Sequence, residues 1–223
     1  MATQEQALAA RLDELRGLIA AWPGLAAHAD APLLEDALVL LGLLGDARSV
    51  IDVGSGGGLP GIPLKLARPD IELTLLESNQ RKAAFLVHAC ARLGIPAAVV
   101  RLRAEDAGHD SRLREAFDAA VARAVASLPV LAELCLPLVR VGGRLLAMKV
   151  QSGAELELAR EALATLGGRH EETVATPSEL RTHGEVLIIR KISPTPAGYP
   201  RRAGVPARRP LGAPERKPSN APS

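Results

Sequence analysis

The sequence predicts an α/β protein: a mostly parallel, seven-stranded sheet with helices on both faces and an antiparallel last strand. Three observations predict it. Short β-branched runs alternate with helical periodicity from residue 48 to residue 166, the pattern of parallel strands joined by crossover helices. One run, Val50-Ile51-Asp52-Val53, passes straight into Gly54-Ser55-Gly56-Gly57-Gly58 and a helix start, as at the tip of a first parallel strand. The last two runs, 170–175 and 185–192, have no helix between them, so they pair antiparallel.

Residues 5–21 read as a helix, with Leu8, Leu12, Leu15 and Leu18 spaced three or four apart, ended by Pro23 and Gly24. Pro32 opens a second helix to Leu44, stopped by Gly45. Residues 1–46 therefore form a short N-terminal helical cap. The first strand is 48–53, the helix behind the glycine loop 62–67, and the second strand 71–77. A helix over 80–93 closes at Gly94, with Pro96 beyond it. Strands 97–102 and 117–122 follow, then a helix over 128–139. Gly142-Gly143 turns the chain into a fifth strand, 144–150, and a helix over 154–166 stops at Gly167-Gly168. The sheet domain is thus 47–192. From Ser193 on, prolines punctuate an Arg-rich stretch without apolar period, so 193–223 is expected to be an extended basic arm, partly disordered when free.

The net charge of +2 conceals an asymmetry. Arg201, Arg202, Arg208, Arg209, Arg216 and Lys217 against Glu215 give the arm +5, leaving −3 for residues 1–192. Basicity confined to one segment suggests a polyanionic partner. Cys90 and Cys135 are too few for a disulfide framework and read as buried thiols of a reducing compartment. The start lacks the basic lead of a secretory signal, and no apolar run nears the ~18–20 residues of a membrane span. A cytoplasmic protein with no membrane contact, acting as a monomer, is expected. His28, His88, His109, His170 and His183 are dispersed without ligand spacing, so no metal is expected.

The glycine loop points to a nucleotide-like ligand. Gly54, Gly56 and Gly58 permit a sharp turn and close approach of a ligand to the backbone. A dinucleotide fingerprint would place glycine at 59, where Leu59 stands, and a P-loop would place lysine after Gly61, where Ile62 stands. Asp52-x-Gly54-x-Gly56-x-Gly58 remains, a pattern seen in methyltransferases that use S-adenosylmethionine. Glu77 ends the second strand, where a carboxylate can accept both ribose hydroxyls of an adenosine. Ala104-Glu105 follows the third strand, within reach of an adenine.

The run Ile51-Asp52-Val53-Gly54-Ser55-Gly56-Gly57-Gly58-Leu59-Pro60-Gly61-Ile62-Pro63-Leu64, with Arg68-Pro69-Asp70, resembles the RsmG (glucose-inhibited division protein B) family. The resemblance continues through Leu75-Leu76-Glu77-Ser78, Arg81-Lys82-x-x-Phe85-Leu86, Ala122-Arg123-Ala124-Val125-Ala126 and Ala147-Met148-Lys149, and into Thr195-Pro196 and Tyr199-Pro200-Arg201-Arg202. It implies a class I (Rossmann-like) methyltransferase fold. It also implies methyl transfer from S-adenosylmethionine to N7 of a guanine near the decoding region of 16S ribosomal RNA, on naked RNA or a small-subunit particle. By matched position, Gly54, Leu59, Glu77, Ser78, Asn79, Ala104, Glu105 and Arg123 would line the cofactor site, with Gly56 and Gly58 shaping its loop. Many members carry Asn-Leu-Thr and Arg/Lys-His-Phe-Leu-Asp-Ser segments before the first strand. Only Leu34-Glu35-Asp36-Ala37-Leu38 aligns loosely with the second.

Guanine N7 offers a lone pair with no proton to remove, so no general base is expected. Arg123 and Lys149, at the ends of the fourth and fifth strands, are expected to position the acceptor, holding guanine O6 or a phosphate; the alternative for Arg123, which the resemblance favours, is to serve the cofactor's carboxylate. Arg81, Lys82, Arg201, Arg202, Arg208 and Arg209 are candidates to follow a phosphate backbone, and Tyr199 to stack on a base or dock the arm. Two other readings are compatible with these residues: a same-fold methyltransferase for a small molecule or protein, and a non-catalytic RNA-binding relative.

Overall fold

A computed structural model describes residues 3–25, 32–123, 126–150, 152–177 and 182–212. His28, Ala124, Val125, Glu215, Arg216 and Lys217 lie outside the described residues. Helix α1 (Gln4–Ala21) starts in a capping box between Thr3 and Gln6 and buries Leu12, Leu15 and Ile19, the spacing of one helical face. The second expected helix divides into α2 (Pro32–Ala37), a 3-10 turn (Leu38–Leu40) and α3 (Leu41–Leu44).

The sheet comprises β1 (Ser49–Val53), β2 (Glu72–Leu76), β3 (Ala97–Val100), β4 (Phe117–Arg123), β5 (Val139–Val150), β6 (Gly168–Ala175) and β7 (Gly184–Lys191). Their order is β3-β2-β1-β4-β5-β7-β6. Strands β1 to β5 pair in parallel, while β7 runs antiparallel to both β5 and β6. The order reverses between β1 and β4, which opens a crevice beyond the carboxyl ends of the strands. Helices α4 (Gly61–Ala67), α5 (Gln80–Arg92), α6 (Ala104–Ala107), α7 (Leu128–Cys135), α8 (Gly153–Leu158) and α9 (Arg160–Leu166) make the crossovers, and α10 (Val205–Arg208) lies in the tail.

The period of two fills two cores. Val50, Leu73, Leu75, Ala119, Val121, Leu146 and Met148 face α1, α4 and α5, together with Phe85 and Leu86. Ile51, Val53, Ala120, Ala122, Leu145 and Ala147 face α7 and α9 on the other side. Among the described residues no helix is long and apolar enough to cross a membrane.

Several expected boundaries move. The helix over 128–139 ends at Cys135, a 3-10 turn (Leu136–Leu138) follows, and β5 begins already at Val139. Pro137 has no N–H for an α-helical bond, while Leu136 and Leu138 stay buried, so apolar periodicity outlasts the helix. Gly142-Gly143 then lies inside β5 at a register shift: Phe117 pairs with Val139, but Ala119 pairs with Arg144. The helix over 154–166 is likewise two helices, parted at Ala159.

Candidate active site

The glycine loop is held by main-chain bonds to β2. The Gly54 and Ser55 N–H groups donate to the Leu76 carbonyl at 2.9 and 3.1 Å, and Ser55 Oγ donates to the Asp52 carbonyl at 2.9 Å. Beneath the loop, Asp52 Oδ2 accepts the Gly61 N–H at 3.0 Å and so fixes the first turn of α4. Its other oxygen, Oδ1, is buried without a hydrogen-bond partner. Burial pushes the Asp52 carboxyl up to about 7, against the lowering pull of the Gly61 N–H and the Arg123 charge. Gly58 has φ +83°, and a Cβ there would stand 2.4 Å from Ile62 Cδ1, so a side chain has neither the conformation nor the space.

At the end of β2, Glu77 turns its nearly buried carboxylate back into the loop. Its Oε2 accepts the Gly56 N–H at 3.0 Å and its Oε1 the Asn79 N–H at 2.8 Å. Asn79 is the N-cap of α5, its Oδ1 accepting the Arg81 and Lys82 N–H groups at 2.9 and 3.1 Å. Between Glu77 and α6 lies a cavity of about 120 Å³ at the carboxyl ends of β1, β2 and β3. Gly54, Glu77, Ser78, Ala104 and Glu105, all singled out from sequence, line it together with Leu102, Arg103 and Leu134. Arg103 directly precedes the Ala104-Glu105 pair, so sequence position could have flagged it; Leu134 arrives from α7 through tertiary packing.

The remaining candidates stand apart from this cavity. Gly56 acts through its N–H on Glu77, Asn79 as a helix cap, and Gly58 and Leu59 are buried in the loop's base. Glu105, by contrast, lines the cavity, and its carboxylate is held by Arg103 and by the Gly204 N–H, the latter at 2.8 Å. Burial works against that charge, but Arg103 and Gly204 prevail and keep the carboxyl below the usual range.

Arg123, at the end of β4, is half-buried and close enough to Asp52 to influence its charge. Lys149 is not an open cation at the rim. Its Nζ pairs with Glu155 at 2.8 Å and donates to the Ala126 carbonyl, while Glu155 Oε2 also accepts the Leu128 N–H. Lys149 thus braces the start of α7. Among the described residues no group of three or more His, Cys, Asp or Glu could hold a metal. Both thiols are buried; burial pushes Cys90 up to about 11 and Cys135 up as well.

Residues 193–212 are docked on the body rather than extended from it. Arg114 donates to the carbonyls of Thr195, Pro196 and Tyr199. Tyr199 packs against the second core, so it docks the tail. Arg201 makes a bidentate pair with Glu133, a fully buried residue of α7, at 2.8 and 2.6 Å, which commits its guanidinium internally. Arg202, Arg208 and Arg209 are exposed, as is Arg81, and Lys82 is partly so.

The family model GidB, described as rRNA small subunit methyltransferase G, matches residues 31–183. The ribosomal RNA small subunit methyltransferase G of Pelotomaculum thermopropionicum is 49% identical over 173 residues, covering 75% of this chain and 72% of that protein. Its counterpart from Moorella thermoacetica is 45% identical over 186 residues, covering 80% and 76%. Among solved structures, cofactor-bound Rv0187 from MTB superposes with a TM-score of 0.60 at 22% identity, covering 84% of this chain and 90% of that one. The apo S-adenosylmethionine-dependent methyltransferase SibL gives 0.58 at 17% identity, covering 84% and 70%. These two likenesses concern the fold.

Proposed function

The chain belongs to the GidB family of rRNA small subunit methyltransferase G proteins, and from that premise we propose that it transfers a methyl group from S-adenosylmethionine to N7 of a guanine in 16S ribosomal RNA near the decoding region. The geometry of Glu77 is the observation that carries the cofactor half. A carboxylate offers roughly four lone-pair positions. Gly56 and Asn79 take two of them, which leaves two on a side chain that lines the cavity, as many as a pair of vicinal ribose hydroxyls needs. Gly54 and Ser78 line the cavity beside that carboxylate, while Leu102, Ala104 and Leu134 add apolar surface suited to a purine face.

S-adenosylmethionine, when bound, supplies a methyl group on a positively charged sulfur that is already a good leaving group. The residues then have to align and desolvate rather than move a proton, because N7 carries none. The carboxylates nearest the cavity suit this division of labour: Glu77 and Glu105 both hold backbone N–H groups. Arg123 is the rim cation suited to guanine O6 or to the cofactor's carboxylate. Lys149 contributes indirectly by fixing the start of α7. Arg81, Lys82, Arg202, Arg208 and Arg209 supply the exposed charge for a phosphate backbone. The corresponding setting is a monomer acting in the cytoplasm, where small-subunit RNA is modified.

Incubation with methyl-labelled cofactor and unmodified 16S RNA, naked and as small-subunit particles, tests the proposal. Label is expected in the RNA; label only in protein or small molecules, or none, would overturn it.

A further inference from the structure

The tail grips two helices, α6 and α7, that each contribute a side of the lining of the cofactor cavity. On α6, Glu105, beside Ala104, accepts the Gly204 N–H at 2.8 Å. On the other, Glu133 precedes the lining residue Leu134 and receives the Arg201 N–H and guanidinium at 2.6 to 2.8 Å. Arg201 Nη2 also donates to the Arg209 carbonyl at 2.8 Å, which closes residues 201–209 into one unit. Pro200 seats this unit: its carbonyl lies 2.7 Å from His109 Nε2, and a Cβ on Gly108 would stand 2.5 Å from its ring. The exposed Arg202, Arg208 and Arg209 belong to the same unit.

We propose that residues 199–209 form a clamp that sets the spacing of the cavity walls and couples RNA engagement to cofactor affinity, with Arg201 and the Gly204 amide as positioning groups. This rests on the reading of the cavity as the cofactor site. Glu105 and Glu133 are buried acids on different helices, and removing the partner of a buried ionic group leaves it uncompensated, so each is tied to the tail residue that pairs with it. Phosphates drawn to Arg202 and Arg209 act on the chain segments that carry those partners. A seated clamp holds Leu134 at its distance from Ala104; an unseated one lets α6 and α7 part. Linkage makes the effect reciprocal: RNA tightens cofactor binding by the factor by which cofactor tightens RNA binding.

The test is the ratio of S-adenosylhomocysteine affinities, with and without unmodified 16S RNA, measured by calorimetry on the full chain. The intact protein should bind S-adenosylhomocysteine about fivefold or more tightly with RNA present. The paired Glu133→Gln and Arg201→Gln variant, which strands no buried charge, should bring the ratio close to one. Glu105→Gln, which keeps an acceptor for Gly204, should retain the ratio, while Glu105→Ala should lose it. These comparisons separate coupling from stability, because general loosening weakens both affinities without equalising them. A ratio of one in the intact protein, or an undiminished ratio in both the paired variant and Glu105→Ala, would overturn the clamp alone. No binding of S-adenosylhomocysteine to the intact chain would overturn the cofactor reading, and the clamp with it.

Discussion

Replacing Glu77 is the sharpest probe of the cofactor site, because both of its oxygens are accounted for. Glu77→Ala strands the Gly56 and Asn79 N–H groups and removes the proposed acceptor for two ribose hydroxyls. Hydrogen bonds to a charged group contribute about 1.5–3 kcal/mol each, so losing two weakens binding by about 3–6 kcal/mol. At about 1.4 kcal/mol per decade, the dissociation constant rises between about 100-fold and 10,000-fold. Glu77→Gln should resemble Glu77→Ala more than wild type. An amide has one acceptor oxygen, so its NH2 must face either the Gly56 or the Asn79 donor. Glu77→Asp keeps the charge on a shorter arm and should fall between them. Calorimetric titration with S-adenosylhomocysteine measures the series, with thermal unfolding of the apo proteins as the control. Affinity of Glu77→Ala within about twofold of wild type, which is under 0.5 kcal/mol, would refute the ribose assignment.

Other consequences are open to measurement. Asp52 has its folded-state carboxyl raised to about 7 by burial, so the stability it contributes is full below about 3.8 and is lost as pH rises through about 7. Unfolding of wild type beside Asp52→Asn from pH 4 to 8 should show a relative loss on the order of 4 kcal/mol at most; parallel curves would contradict it. Gly58→Ala forces both a positive φ and a clash with Ile62 and should cost about 2–4 kcal/mol in chemical denaturation; an unchanged midpoint would show that the loop relaxes freely. Alanine at Arg202, Arg208 and Arg209 together should weaken RNA binding and flatten the slope of log affinity against log salt by about 2–3. An unaltered slope would remove these side chains from the RNA interface.

Much of this architecture was legible because it is local. Val50 to Gly58 spells a strand buried on both faces followed by a glycine loop, and Gly94 with Pro96 beyond it announces the end of α5. Both were readable from neighbouring residues. The end of α7 was not: Leu136-Pro137-Leu138 is as apolar as the helix before it and the strand after it, so periodicity alone could not divide them. Lys149 read as a strand-end cation because its partners, Glu155 and the Ala126 carbonyl, are supplied by crossovers whose course depends on tertiary packing. The tail misled for a related reason. Its proline and arginine content matches an unpacked arm, yet its anchors are acids far away in sequence. Glu133 held the usable signal: a carboxylate inside an otherwise apolar helix requires a partner, although nothing in the sequence said that Arg201, 68 residues on, would supply it.

The most direct measurement maps the modified atom. Unmodified 16S RNA is treated with the protein and S-adenosylmethionine, then with borohydride and aniline, which cleave the chain at 7-methylguanosine, and primer extension locates the break. A single enzyme-dependent cleavage near the decoding region, abolished in Glu77→Ala, is the predicted result. Methyl incorporation into the RNA without aniline-sensitive cleavage, placing the group on another atom, would contradict it.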